Sequence, residues 1–119
     1  MTMQAIYDWI DAHAEECVRD LQRLVRQPSI SAQGVGLREC AALVRDMMRD
    51  DGLPAEFHEL KEGPPVVFGH LKAREPTKTL LCYSHYDVQP PEPLEAWTHG
   101  GPWAADIVDG VLYGRGATD

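Results

Sequence analysis

Two short segments hold the residues best suited to chemistry. Ser84, His85, Tyr86, Asp87, Val88, Gln89 and Pro90 close an apolar run, and Gly114, Arg115, Gly116, Ala117, Thr118 and Asp119 end the 119 residues. In an extended chain adjacent side chains point to opposite faces, so Ser84 and His85 do not converge, and a serine triad with Asp87 is excluded on geometry. His85 and Asp87, two apart, share a face. A neutral imidazole is a good zinc ligand and a nearby carboxylate can hold its ring and tautomer, which makes His85 the candidate ligand and Asp87 its candidate orienting residue. The glycines on either side of Arg115 allow a sharp turn or a close approach that carries Asp119 away from the preceding residues. A carboxylate there could bridge two metal ions a little under ~4 Å apart, the separation that clamps the attacking and the polarised oxygen in hydrolysis. Each piece alone has a plainer reading. An isolated His-x-Asp more often caps a strand and opens a turn, and a lone C-terminal Asp is more often a solvated charge.

These residues need elements to position them. Ile6, Trp9, Ile10, Cys17, Leu21, Leu24 and Val25 recur at three- and four-residue steps and predict an amphipathic helix ended by Pro28. After a small-residue stretch, Leu37, Cys40, Ala41, Val44, Met47 and Met48 repeat the pattern, with Gly52 and Pro54 as its stop. The Met and Cys residues in both stripes read as core packing. Short runs at 57–60, 66–71 and 79–84 then predict three strands, separated by Gly63, Pro64 and Pro65 and by the turn at 74–78. The third run is nearly all apolar, as expected of a strand buried on both faces, and His85 and Asp87 follow its end, where ligands bind in open α/β sheets. Ile107-Val108 and Val111-Leu112-Tyr113 flank Asp109-Gly110, a strong hairpin signal.

Composition narrows the function classes. With 44% hydrophobic and 25% charged residues over 119, the chain fits one small globular domain, without repeats, low-complexity tracts or linkers. A net charge of -8 and a pI near 5.0 argue against nucleic acid or an anionic membrane as partner. Cys17, Cys40 and Cys82 are odd in number and form no C-x-x-C pair, which favours a reducing, cytoplasmic setting. The first ten residues lack the basic and apolar regions of a signal peptide, and no stretch is long and apolar enough to span a bilayer.

His85-Tyr86-Asp87-Val88-Gln89-Pro90, then Trp97, then the run from Asp109 through Tyr113, Gly114, Arg115 and Gly116 to Asp119, together resemble the N-terminal part of the zinc-dependent aminoacylase, carboxypeptidase and carnosinase-type dipeptidase family. The Val-Gln-Pro continuation is most similar to the dipeptidase branch. The resemblance runs along the whole chain, including the two helices and Gln27-Pro28-Ser29-Ile30-Ser31 between them. It implies the N-terminal portion of a three-layer α/β/α zinc-exopeptidase catalytic domain: two helices, then strands of a mixed sheet and a hairpin. His85 matches the family's ligand to one zinc, Asp87 the acid that orients it, and Asp119 the carboxylate bridging two zincs, with Mn2+ or Co2+ as alternative metals. The implied reaction is amide hydrolysis of a dipeptide or an N-acyl amino acid.

By the same resemblance, the general-base Glu, the remaining ligands, the rest of the catalytic domain and a dimerisation domain lie beyond Asp119. Residues 1–119 are then an inactive fragment of a protein that pairs as a homodimer. Between Trp97 and Ile107 the chain departs from the family's usual acidic residue, Pro-Phe pair and second Pro, although Trp103 can replace the aromatic. His99 in that stretch matches no motif and stays outside the ligand set. The competing expectations are an N-acyl amino acid deacylase of the same family and a noncatalytic α/β interaction module.

Overall fold

The computed structural model describes residues 2–119, which form two compact units. One joins the chain up to Arg26 with Pro91–Asp119; the other is Gln27–Pro90.

In the first unit, helix α1 spans Met3–Val25 and is capped by Thr2, whose hydroxyl accepts the Ala5 N–H at 3.3 Å. The hairpin predicted around Asp109-Gly110 is present as β3 (Asp106–Val108) and β4 (Val111–Tyr113), with Val108 opposite Val111. Asp109 and Gly110 take φ of 50° and 79°, the pair of left-handed residues that a two-residue turn needs to match strand twist. The loop before β3 meets the last turns of α1. Gln22 donates to the Ala105 carbonyl at 2.7 Å and Arg26 to that of Ala104 at 3.2 Å, while Val25 and Ala105 are buried. The expected apolar stripe of α1 is therefore buried only at its C-terminal end. Trp9 and Ile10 are 57% and 48% exposed, because among the described residues this unit offers only the hairpin and its loops as cover.

In the second unit, helix α2 (Leu37–Asp50) packs on an antiparallel pair, β1 (Ala55–His58) and β2 (Val66–Gly69), in the register Ala55 to Gly69 and His58 to Val66. Cys40 and Ala41 of α2 and Ala55 of β1 are buried, and Arg49 donates to the Ala55 carbonyl at 2.8 Å. Arg45 lies over the Phe57 ring at 4.5 Å, covering its face with a cation. The predicted boundaries of both helices and both strands agree with these elements to within a few residues.

The third predicted strand differs. Among the described residues, 79–84 pair with no strand, and Leu80, Leu81 and Tyr83 are 87%, 83% and 88% exposed. Such a strand needs paired neighbours at its edges and packed layers over both faces, and among the described residues β1 and β2 pair only with each other. Among the described residues, no helix is long and apolar enough to cross a membrane.

Candidate metal site

The segment after 79–84 is held by the residues that alternate with His85 and Asp87. The Tyr86 hydroxyl donates to the Pro65 carbonyl at 2.6 Å, and the Tyr86 carbonyl accepts from the buried Cys40 thiol at 3.6 Å. Two residues on, the Val88 N–H donates to the Ser29 carbonyl at 2.9 Å, in a parallel bridge with Ile30. Tyr86 and Val88 thus tie this strip of chain to the core of its unit. The period-2 geometry of extended backbone leaves His85 and Asp87 to face one another on the same side.

They do meet. His85 Nδ1 lies 2.9 Å from the Asp87 carbonyl oxygen and 3.3 Å from Asp87 Oδ1, with both side chains nearly half exposed. Both neighbours can only accept, so Nδ1 must carry the proton, and the lone pair of the neutral ring resides on Nε2. That tautomer is the one an Nε2-ligating histidine requires, and a carboxylate behind Nδ1–H raises the basicity of the ligating nitrogen. The chemistry of this pair therefore suits a divalent ion such as zinc.

Around the pair the titration behaviour is set by burial. Burial pushes the Cys40 thiol up, opposed by a hydrogen bond with Ser29. Burial also raises Tyr86, helped by the charges of Cys40 and Asp87 and opposed by Arg38. Both groups stay neutral at physiological pH, so Cys40 is a packing residue and not a thiolate nucleophile.

Asp119 belongs to the other unit and is exposed. It follows β4 through a turn in which the Arg115 N–H donates to the Pro102 carbonyl at 2.7 Å and the Ala117 N–H to that of Gly114 at 3.3 Å. Gly114 sits so close to Val25 of α1 that a Cβ there would overlap the valine methyl. His99 rests against the Tyr113 ring at 4.2 Å and so has a packing role on the hairpin. Among the described residues, no group of three or more His, Cys, Asp or Glu is arranged to hold a metal ion. One contributor was missed in the sequence: Tyr86 as the anchor between His85 and Asp87, signalled by an aromatic alternating with the two polar residues.

Comparison with known proteins bears on these same segments. The profile of "Peptidase family M20/M25/M40" matches residues 81–119, which include His85, Asp87 and Asp119. The chain is 33% identical over 133 residues to the Beta-Ala-His dipeptidase of Homo sapiens, an alignment covering 98% of this chain and 26% of that protein. It is 36% identical over 100 residues to the succinyl-diaminopimelate desuccinylase of Methylorubrum extorquens, covering 82% of this chain and 25% of the relative. In structure it matches an M20 family metallo-carboxypeptidase from Sulfolobus solfataricus with a TM-score of 0.77 and 38% identity, over 83% of this chain and 22% of that one. The chain spans about a quarter of the length of the curated relatives it matches. Its helices and antiparallel strand pairs accordingly share the α/β fold of that carboxypeptidase, and the chain belongs to Peptidase family M20/M25/M40.

Proposed function

We propose that the protein carrying this chain is a zinc-dependent hydrolase of amide bonds that acts on dipeptides, with His85 a terminal metal ligand, Asp87 the residue that orients it, and Asp119 a carboxylate bridging two ions. The observation that carries this is the contact of His85 Nδ1 with the Asp87 backbone carbonyl at 2.9 Å and with Asp87 Oδ1 at 3.3 Å, because it sets the tautomer a ligand needs. A bound pair of ions would supply an acidified water and a polarised scissile carbonyl. The work of this chain is to present donors: His85 through Nε2, with Asp87 holding the proton at Nδ1, and Asp119 through its carboxylate. A glutamate outside these 119 residues would take the proton from the attacking water.

Two metal donors do not complete a tetrahedral site, so residues 1–119 alone, as the N-terminal portion of the catalytic domain, are expected to be inactive. The same reading extends to a homodimer formed through a further domain and, from three unpaired cysteines, to a reducing cytoplasmic setting. Substrate choice has a second reading. The similarity to a desuccinylase over 82% of the chain favours an N-acyl amino acid as the alternative to a dipeptide.

The test is a panel of dipeptides and N-acyl amino acids given to the intact protein, with metal content measured before and after chelation. Hydrolysis lost on chelation and restored by Zn2+, Mn2+ or Co2+ is expected, with His85→Ala abolishing it and Asp87→Asn weakening metal binding about 10- to 100-fold. Metal-independent hydrolysis, or an unaltered His85→Ala enzyme, would refute the assignment.

A further inference from the structure

Arg115 is outside the proposed donor set, yet the segment that delivers Asp119 is built around it. Its N–H is fixed to the Pro102 carbonyl at 2.7 Å, and Gly114 before it is pressed against Val25. Its guanidinium carbon lies 5.6 Å from the centre of the Trp97 ring, within cation–π range, and Trp97 is itself tied down through its indole N–H to the Pro91 carbonyl at 2.8 Å. The Nε of Arg115 is shielded from solvent and has no hydrogen-bond partner among the described residues.

We propose that Arg115 is a positioning residue for Asp119. Held over Trp97 by its side chain and pinned to Pro102 by its backbone, it fixes the direction in which the chain leaves β4, and hence where the Asp119 carboxylate is presented to a divalent ion. The turn between them carries that direction as far as Ala117, through Gly116 at a φ of 87° and the bond from Ala117 N–H to the Gly114 carbonyl, two residues before Asp119. A guanidinium is broader and more weakly hydrated than a lysine ammonium and suits an aromatic face better, so arginine is expected to serve this role better than lysine. This inference rests on Asp119 being a metal donor, as proposed above.

The experiment uses the intact protein loaded with Co2+, followed by its visible absorption and by the ion's affinity. Arg115→Lys, Arg115→Met and Trp97→Leu are compared with Asp119→Asn, and with Gln22→Met as a control that breaks only the bond from α1 to Ala105. Both Arg115 variants and Trp97→Leu are expected to weaken Co2+ binding about tenfold or more, the range typical of residues that hold a ligand in place, and to shift the absorption band in the same sense as Asp119→Asn. Gln22→Met is expected to lower the melting temperature and leave the band unchanged. Should Arg115→Met fail to fold, Arg115→Lys carries the same test. Wild-type affinity and spectrum in the Arg115 variants, or an equal spectral change in Gln22→Met, would overturn the positioning role while leaving the metal assignment intact. A wild-type protein that takes up no Co2+ would overturn both.

Discussion

Tyr86 is flanked by the two polar residues of greatest interest and is itself the reason they are presented together. Its hydroxyl bond to Pro65 and its carbonyl contact with Cys40 fix the backbone between His85 and Asp87. Tyr86→Phe should therefore cost about 1 kcal/mol of stability, read from urea unfolding, since the Pro65 carbonyl loses its donor. It should also alter the alkaline limb. Burial raises Tyr86 above its ordinary 10.0, so its contribution is fully present below that value and is lost as pH rises through the higher folded value. Cys40, raised from 9.0 by burial, acts with the same sign. Stability measured from about pH 8 to 11 should fall for the wild type, and less steeply above about pH 10 for Tyr86→Phe, with the Cys40 part retained. An identical slope in the variant would show that Tyr86 does not govern that limb.

At the scale of elements, the close approach of Gly114 to Val25 couples α1 to the strand end that leads to Asp119. The φ of Gly114 is not left-handed, so space and not conformation demands glycine there. Gly114→Ala should destabilise by about 1–3 kcal/mol through overpacking. In a Val25→Ala background the same change should cost at least about 1 kcal/mol less, a coupling that a double-mutant cycle in denaturant would measure; strict additivity would argue against the contact. Which elements form was legible in the sequence where the signal is local. The stripe from Leu37 to Met48 and the turn at Asp109-Gly110 each specify their structure from neighbouring residues alone, and the observed α2 and β3–β4 follow. The run at 79–84 failed because an apolar strand is defined by partners, and composition says nothing of which partners are present. In the site, the His85–Asp87 contact was legible from a spacing of two, whereas the Arg115–Trp97 contact joins residues 18 positions apart and carries no periodic signature.

For the molecule as a whole, the apolar surface is unevenly placed. The net charge of -8 favours solubility, but 79–84 contains no charged residue and no proline, and its leucines and tyrosine are exposed. The isolated 119-residue chain is expected to self-associate as its concentration rises, and Leu81→Lys to suppress this, with sedimentation velocity as the measurement. Monodisperse wild-type chain over the same range would count against it. The three cysteines divide differently: Cys17 and Cys82 are exposed, whereas Cys40 is buried behind the strip that carries His85 and Asp87. A thiol-reactive dye should therefore label two sulfurs at once and the third only when α2 lifts away from that strip. The slow phase of such a reaction is a built-in clock for the opening of this region, readable without any substrate.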